Sequence, residues 1–234
     1  HEGTGRLHAL KCLKDIDQRS FNREAAICLM LDKHPNLEMA GAVWYIGGAR
    51  CLALEYVPGW SLAELLKEGP MKPAQALDLA LQACDGLGYA NAKLGIVHRD
   101  VKPGNCLVSE AGVLKVADFG LARVFKAGQG EAPQERVPEQ KPGSGQTTLG
   151  GTLQYMAPEQ FDPAAALDTR TDIYGFGVML YEMLTRDLPD TGTEARAHFL
   201  AQAPRAAVPD RLLAVILRSV APEREDRPAS FTEV

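Results

Sequence analysis

Apolar and polar positions at the start of the chain follow the periods of strands and helices in turn. Residues 6–13 alternate closely enough to predict a strand, because successive side chains of a strand point to opposite faces. Residues 20–31 repeat apolar side chains at helical spacing, which predicts an amphipathic helix. Two more strands are predicted at 40–46 and 51–55, on either side of the Gly47-Gly48 turn. The pattern therefore predicts a small sheet accompanied by one helix.

From Ser61 onward the pattern changes to that of helices. Ser61 is followed three residues later by Glu64, a capping box, so a helix is predicted to begin there. Pro73 opens a longer helix that we expect to run to about Leu94 and to end at Gly95. The apolar stripe of this helix, which we expect to face the core, comprises Leu77, Ala80, Leu81, Cys84 and Leu87.

Two further helical regions are predicted later in the chain. Residues 173–184 are apolar on every side apart from Glu182, which predicts a helix buried all round, preceded by a turn at 168–172. Residues 193–220 are predicted to form two amphipathic helices separated by Pro204 and Pro209.

A predicted hairpin lies at the centre of the chain. Two short β-prone runs, residues 106–108 and 113–116, flank a turn rich in Ser and Gly. Asn105 precedes the first strand and Asp118 follows the second, so the hairpin brings both side chains to the same end. Mg²⁺ prefers oxygen ligands and usually takes only one or two from the protein, leaving the others to water and phosphate. The sequence therefore predicts a magnesium site that suits a nucleotide.

Two charged residues interrupt apolar faces near the start of the chain. Lys11 shares a strand face with Ala9 and Leu13, where an unpaired ammonium group would be costly. Glu24 falls within the apolar stripe of the predicted helix, where a carboxylate needs a partner. We interpret the two as an ion pair. The alternative for Lys11 is an edge lysine whose ammonium group reaches solvent.

Composition narrows the class of protein. The 234 residues can hold a large core, and 46% of them are hydrophobic. Thirty acidic against twenty-five basic residues give a net charge of −5, which disfavours a nucleic-acid binder. We find no signal peptide, and the longest apolar run is too short to cross a bilayer, so we expect no membrane segment within this fragment and a cytoplasmic location.

The cysteines predict neither a zinc site nor a disulfide framework. They are scattered, they include no Cys-x-x-Cys, and their total is odd. Each is expected to be a small buried hydrophobe in a reducing compartment. The five are Cys12, Cys28, Cys51, Cys84 and Cys106.

A long polar segment separates the hairpin from the later helices. Residues 126–146 are almost devoid of large apolar side chains and are crowded with Gly, Pro, Gln and Glu. They cannot bury enough surface to offset the entropy of ordering, so we expect this segment to be mobile. A long loop within a compact domain is usually functional or disordered.

Three short motifs follow one another along the chain: His98-Arg99-Asp100 with Lys102 and Asn105, then Asp118-Phe119-Gly120, and finally Ala157-Pro158-Glu159. Together they resemble the catalytic domain of eukaryotic-type serine/threonine protein kinases. The resemblance covers nearly the whole chain, and the richness in Ala, Gly and Pro is similar to that of bacterial members. It implies an α+β, two-lobed protein kinase-like fold, with an incomplete β-rich N-lobe at 1–57 and a mainly helical C-lobe at 58–234.

The resemblance also implies an activity, the ATP- and Mg²⁺-dependent transfer of a γ-phosphate to Ser and Thr hydroxyls of protein substrates. Lys102 together with Thr152 is the pattern of serine/threonine rather than tyrosine kinases. The implied catalytic residues are Asp100, Lys102, Asn105 and Thr152. The implied nucleotide-binding residues are Lys11, Glu24, Ala9, Leu54, Glu55, Val57, Leu107 and Asp118. The implied metal ligands are Asn105 and Asp118.

Other residues receive structural roles from the same resemblance. His98 is expected to pack beneath Phe119 rather than to act as a base. Asp172 is expected to bond back to the catalytic loop, and Arg227 is expected to pair with Glu159.

Regulation is implied at the polar segment, which lies where the activation loop of the family belongs. Its hydroxyl residues are candidates for autophosphorylation, and Arg99 beside Asp100 could pair with a phosphate placed there. The three candidates are Ser144, Thr147 and Thr148. Gly3-Thr4-Gly5 lies too near Lys11 to be the family's glycine-rich loop, so we expect that loop to be missing. The chain begins without a methionine, and residues 230–234 resemble the start of a helix, so we expect both ends to be truncations.

Two alternatives remain at this point. A catalytically dead pseudokinase, acting as a signalling or scaffold module, would be expected to lose one of Lys11, Asp100, Asn105 or Asp118, and all four are present. A small-molecule phosphotransferase of related fold would lack the long polar segment, Thr152 and the Ala157-Pro158-Glu159 motif.

Overall fold

The computed structural model describes residues 7–12, 18–124, 153–188 and 209–234. Its strand-rich part is a three-stranded antiparallel sheet with the order β1-β3-β2, and helix α1 packs against β2. The predicted strands and helix are confirmed, with ends that differ by a few residues. They are β1 (His8–Cys12), α1 (Gln18–Met30), β2 (Ala40–Ile46) and β3 (Ala49–Glu55).

Strand β3 lies in the middle of this sheet because its residues are apolar on both faces. Residues 51–54 are all buried, as expected for a strand paired on both sides. The buried face of α1 carries Phe21, Glu24 and Cys28, and Leu31 is buried just beyond the end of the helix. The charged side chain predicted to face inward therefore does so.

The expectation that the chain forms no disulfide is wrong. Cys12 and Cys51 oppose each other in the β1–β3 pairing, and they form a disulfide with their Cα atoms 4.0 Å apart. Cys12 is also exposed rather than buried. The two residues are 39 positions apart, so only the register of the strands brings them together. Cys28 and Cys106 are buried as predicted, whereas Cys84 is half-buried.

Short strands organise the centre of the molecule. The predicted hairpin is confirmed as β6 (Cys106–Ser109) and β7 (Leu114–Val116), and β4 (Gly59–Ser61) pairs with the other edge of β6. A second ribbon, β5 (Ile96–Val97) with β8 (Arg123–Val124), was not predicted. The ribbon fixes both ends of the stretch that runs from His98 to Ala122.

The helices of the second part begin and end where the caps predict. Helix α2 (Leu62–Leu65) starts at the capping box, in which Glu64 N donates to Ser61 Oγ at 3.2 Å and Ser61 N donates to Glu64 Oε2 at 2.8 Å. Helix α3 (Pro73–Leu94) ends at Gly95, which has a φ of 63°. Glycine adopts this left-handed conformation without a steric penalty.

The apolar stripe predicted for α3 is partly wrong. Leu77 and Leu81 are 41% and 60% exposed, although Ala80 and Leu87 are buried as predicted. The face that packs against β7 and α4 (Thr169–Thr185) is made mainly of small residues, because the neighbouring backbone approaches closely. A Cβ atom at Gly86, for example, would lie 2.5 Å from the carbonyl oxygen of Asn36. The residues of α3 that face the core are Ala76, Leu79, Ala80, Ala83, Gly86, Leu87 and Ala90.

Helix α4 confirms the prediction of a helix buried all round, but it begins earlier than expected. Asp168 caps it by accepting a hydrogen bond from Arg170 N at 2.9 Å, so the predicted turn at 168–172 is the cap and first turn of the helix. The same polar residue types are typical of turns and of helix starts, where their side chains accept hydrogen bonds from the free backbone amides. Helix α5 (Asp210–Ser219) packs on α4, and the first helix predicted within 193–220 lies outside the described residues.

The fold is α+β, as predicted, with a small antiparallel sheet and a larger helical part. The boundary between lobes at residues 57 and 58 stays a prediction. Among the helices that the structure describes, none is both long and apolar enough to cross a membrane.

Candidate active site

The first polar cluster of the site joins three distant segments through Lys11. Strand β1 presents Lys11, whose Nζ lies 2.6 Å from Glu24 Oε1 on α1 and 2.7 Å from Asp118 Oδ1 after β7. The ion pair predicted between Lys11 and Glu24 is therefore confirmed, and Asp118 is a second carboxylate partner. The alternative, an edge lysine that reaches solvent without a partner, is excluded.

Burial and pairing act in opposite directions on the pKa values of this cluster. Burial alone would lower the pKa of Lys11, but the hydrogen bonds that its ammonium group donates to Asp118 and Glu24 outweigh burial and raise that pKa above its usual 10.5. Burial would raise the pKa of Asp118, but the bond from Lys11 holds it below its usual value. Both groups are therefore charged at neutral pH, as a site for phosphate and a cation requires.

The second polar cluster surrounds Asp100. Lys102 Nζ donates to both carboxylate oxygens of Asp100, at 2.9 and 2.8 Å. Asn105 Nδ2 donates to the backbone oxygen of Asp100 and to its Oδ2, both at 2.8 Å. Three of the four residues predicted as catalytic thus form one hydrogen-bond network, and the side chain of Asp100 is only 11% exposed.

Helix α4 holds this network in place through Asp172. Its two carboxylate oxygens accept hydrogen bonds from His98 N and Arg99 N, each at 2.7 Å, as predicted. Arg99 adopts a φ of 71°, a strained conformation for a residue with a side chain, and these bonds help to hold it. Burial raises the pKa of Asp172 to about 6, although the two backbone bonds oppose the shift.

His98 is structural in the way that was predicted. Its ring contacts that of Phe119 edge to face, with centroids 4.8 Å apart, and its Nε2 lies 3.0 Å from Ala117 O. Because Ala117 immediately precedes Asp118, His98 ties the loop that carries Asp100 to the segment that carries Asp118.

Asn105 and Asp118, the two residues predicted from the hairpin as metal ligands, lie on neighbouring backbone segments, and their part in metal binding stays a prediction. Ala117 N donates to Asn105 O at 2.8 Å, so the backbones next to Asn105 and Asp118 are bonded to each other. The amide nitrogen of Asn105 is committed to Asp100, which makes its amide oxygen the atom suited to a cation. One carboxylate and one amide oxygen fit Mg²⁺, which takes few protein ligands.

The residues predicted to surround the base of a nucleotide lie at the junction of the sheet and the helical part. Ala9 of β1 is paired with Leu54 of β3, which is 9% exposed. Glu55 ends β3, and its carboxylate contacts Lys115 at 3.0 Å. Val57 follows it. Leu107 pairs with Ser61 across β4 and β6. Their part in nucleotide binding stays a prediction.

Several predicted site residues lie outside the described residues. They are Thr152 and the hydroxyls Ser144, Thr147 and Thr148, together with the polar segment at 126–146 and Gly3-Thr4-Gly5.

Sequence reasoning missed one charged residue of the site, Glu38. Its backbone N donates to Val116 O at 2.9 Å, two residues before Asp118. Burial, together with the negative charge of Asp118, raises the pKa of Glu38 to about 7, and Lys11 opposes the shift. The signal was present in the sequence, since Glu38 interrupts an apolar run between Leu37 and Met39.

The predicted pair of Arg227 and Glu159 is confirmed beneath the site. Arg227 Nη1 and Nη2 donate to the two oxygens of Glu159 at 2.7 and 2.9 Å, and the Arg227 side chain is fully buried. Gln160, the next residue, donates to Arg99 O at 2.9 Å. This bond was not predicted, and it connects the Ala157-Pro158-Glu159 motif to the loop of Asp100.

The described residues form a protein kinase-like catalytic domain. Its features are a small sheet with one packed helix, a buried central helix and two polar clusters. The family model described as "Protein kinase domain" matches residues 1–222, and the chain belongs to this family.

Bacterial protein kinases are among the similar curated proteins. The serine/threonine-protein kinase pkn2 of Myxococcus xanthus is 33% identical over 92% of this chain. The serine/threonine-protein kinase PknB of Mycobacterium tuberculosis is 35% identical over 74% of it, and the probable serine/threonine-protein kinase PknB of Bifidobacterium longum is 34% identical over 78%. In each case the match covers 26% of the relative, so the chain spans about a quarter of the length of these proteins.

Proposed function

We propose that the protein transfers the γ-phosphate of ATP to serine and threonine hydroxyls of protein substrates. The observation that carries this proposal is the pair of clusters, one around Asp100 and one around Lys11, joined through the bond between Ala117 and Asn105. The names of the relatives support the choice of serine and threonine as acceptors.

Asp100 is the proposed base and orienting group. Phosphoryl transfer asks the protein mainly for alignment and for neutralisation of charge. A carboxylate held by Lys102 and Asn105 has a fixed orientation, which suits it to accept the proton of a substrate hydroxyl. Lys102 would also steady the γ-phosphate. Thr152, the remaining predicted catalytic residue, keeps its proposed role through the resemblance.

Lys11 is the proposed clamp for the α- and β-phosphates. Glu24 holds its ammonium group from the buried side, and the opposite contact with Asp118 is the one that a phosphate oxygen would replace. A bound Mg²⁺ would neutralise phosphate charge during transfer. Asn105 and Asp118 are the residues that would hold it.

The adenine base is proposed to bind where β3 leaves the sheet. Backbone groups of Glu55 and Val57 would bond its edge, Ala9 and Leu107 would cover its two faces, and Leu54 would close the rear. This assignment rests on the family resemblance and on the position of these residues next to Lys11.

Regulation is proposed to act through phosphorylation of Ser144, Thr147 or Thr148, by a second copy or by the molecule itself. A phosphate there would pair with Arg99, which follows the bonded His98 and precedes the base. The partners are proteins that offer Ser or Thr. Because the proposed reaction consumes ATP, we place this part of the chain in the cytoplasm.

We expect Asp100→Asn to abolish transfer without abolishing nucleotide binding. The full-length protein is incubated with Mg²⁺, γ-labelled ATP and casein as a generic acceptor, and phosphoserine and phosphothreonine are measured. Because the amide cannot accept the proton, transfer should fall at least about a hundredfold, while the affinity for ATP changes by less than about twofold.

Asp78→Asn is the matched control, since Asp78 lies exposed on α3, away from both clusters, and accepts a hydrogen bond from Gln82 at 3.0 Å. It should transfer phosphate as the wild type does. If Asp100→Asn does so too, Asp100 is not the base. If the wild type binds ATP but labels no acceptor and not itself, the protein is a pseudokinase and the proposal fails.

A further inference from the structure

The Cys12–Cys51 disulfide lies directly beside the clamp residue of the site. Cys12 follows Lys11 on β1, and both are paired with β3, Lys11 with Leu52 and Cys12 with Cys51. In the part of the chain that the structure describes, β1 has no other strand partner than β3. The disulfide is therefore the covalent part of the attachment that positions Lys11.

The loop closed by the disulfide also contains the other half of the ion pair. Its 39-residue span includes α1, which carries Glu24, and β2. Without the bond, β1 would be attached to β3 by the hydrogen bonds of the strand pair alone, and the strand that carries Lys11 would be held less firmly against the sheet. The contact of 2.6 Å between Lys11 Nζ and Glu24 Oε1 requires that β1 and α1 keep their positions relative to each other.

The two sulfur atoms differ in access. Cys12 is exposed, whereas Cys51 is fully buried, so an attacking thiolate can reach Cys12 first. The unpaired cysteines are protected from the same chemistry. Burial raises the pKa of Cys28 and of Cys106 to about 12, which keeps both as unreactive thiols, and it raises the pKa of the half-buried Cys84 to about 12 as well.

We propose that Cys12–Cys51 is a redox modification site whose reaction partner is a dithiol reductant, and that its reduction loosens the hold of Lys11 on a nucleotide. The second half of this proposal rests on the proposed function. In a reducing compartment a disulfide is usually transient or redox-sensing rather than purely structural, which agrees with a pair that is exposed on one side.

The exchange reaction balances without any further reagent. One thiolate of the reductant attacks Cys12 Sγ, a mixed disulfide forms there, and the bond to Cys51 breaks, so that Cys51 leaves as a thiolate and takes up a proton. The second thiolate of the reductant then attacks the reductant sulfur atom that is bonded to Cys12. The bond to Cys12 breaks, and Cys12 leaves as a thiolate and is protonated in turn. The protein gains two electrons and two protons, and the reductant becomes a cyclic disulfide. Oxidised glutathione can drive the reverse reaction.

The site is tested first by peptide mapping. The full-length protein is treated with oxidised glutathione, alkylated in denaturant and digested, with and without prior dithiothreitol. We expect one linked peptide that contains Cys12 and Cys51 and disappears after reduction, while Cys28, Cys84 and Cys106 are alkylated in both samples. Absence of the linked peptide overturns the proposal.

The coupling to Lys11 is tested by the affinity for Mg²⁺ and ADP in the two redox states. If the contact between Lys11 and Glu24 forms only part of the time after reduction, the affinity for Mg²⁺ and ADP should fall about three- to tenfold. The double variant Cys12→Ser/Cys51→Ala should match the reduced wild type whether or not dithiothreitol is present. Cys84→Ser, which removes a cysteine outside the pair, should respond to dithiothreitol as the wild type does.

Hydrogen exchange of the β1 amides tests the effect of the disulfide on β1 independently of nucleotide binding. Reduction should speed their exchange even without nucleotide. If ADP binds in neither state, the proposed function fails, and the exchange of β1 alone decides whether the disulfide holds that strand. A linked peptide with unchanged affinity and unchanged β1 exchange overturns the proposal.

Discussion

At the scale of single residues, the site concentrates more negative than positive charge around Lys11. One ammonium group faces Glu24 and Asp118 directly, and Glu38 adds a third carboxyl group nearby. The hydrogen bond from Lys11 holds the pKa of Asp118 below its usual value, whereas burial, together with the charge of Asp118, raises the pKa of Glu38. As the pH falls, Glu38 therefore takes up a proton before Asp118 does.

Glu38→Gln should stabilise the protein above neutral pH and change its stability by less than about 1 kcal/mol near pH 5. The pKa of Glu38 is about 7 in the folded chain against a usual 4.5, so its contribution to stability is present below pH 4.5 and is lost as the pH rises through 7. At pH 8 the variant should gain about 1 to 3 kcal/mol in the free energy of unfolding. Hydrogen exchange of the buried helix α4 in the full-length protein measures this difference at each pH.

Glu110→Gln provides the control, because Glu110 is exposed in the turn between β6 and β7. It should change the free energy of unfolding by less than about 0.5 kcal/mol at either pH. A gain for Glu38→Gln that is equal at pH 5 and pH 8 would show that the Glu38 carboxyl group does not titrate in this range.

Site residues could be predicted from the sequence where a charged residue interrupts an apolar pattern. Lys11 and Glu24 were found in this way, and Glu38 gave the same signal between Leu37 and Met39. The partner Asp118 could not be assigned to Lys11 from the pattern, because the bond spans 107 residues. Neither could the Cys12–Cys51 disulfide, which depends on strand register rather than on spacing.

At the scale of elements, helix α4 is the support on which the catalytic loop rests. Its first turn supplies Asp172 to the amides of His98 and Arg99, and Thr171 Oγ1 of the same turn bonds Glu159 at 2.9 Å. Arg227 then bonds Glu159 and also Arg170 O, at 3.1 Å. The buried ion pair therefore fixes the start of α4.

Arg227→Met should destabilise this part of the protein by about 3 to 5 kcal/mol, because it leaves the carboxylate of Glu159 without its partner. The Glu159 pKa is held below its usual value, against burial, mainly by the hydrogen bond from Arg227. Faster hydrogen exchange of α4 in the full-length variant would measure the loss. Arg218→Met is the control, since Arg218 is 55% exposed, and it should cost less than about 0.5 kcal/mol. A loss below about 1 kcal/mol for Arg227→Met would contradict this role.

The elements themselves were predictable where local chemistry decides them. Capping residues gave the starts of α2 and α3 and the end of α3. The face of α3 was not predictable in full, because close packing against small residues selects it and leaves Leu77 and Leu81 exposed. The pairing of β5 with β8 joins two-residue strands that have no periodic pattern of their own.

At the scale of the whole molecule, the bond between Lys11 and Asp118 is where the sheet meets the helical part. Lys11 lies on β1 and Glu24 on α1, in the strand-rich part of the molecule. Asp118 follows Ala117, whose backbone N donates to Asn105 O in the helical part. A nucleotide that binds Lys11 through its phosphates would replace this contact and leave Asp118 to a cation. The central claim is that the two clusters act on one triphosphate.

The most direct test is a crystal structure of the full-length protein with Mg²⁺ and a non-hydrolysable ATP analogue. The account predicts a phosphate oxygen about 3 Å from Lys11 Nζ, with Glu24 still bonded to it. It also predicts a metal ion about 2.1 Å from oxygen atoms of Asp118 and Asn105, with the γ-phosphate facing Asp100. A nucleotide bound elsewhere, with Lys11 still closed on Asp118 and no metal at Asn105, would contradict the account.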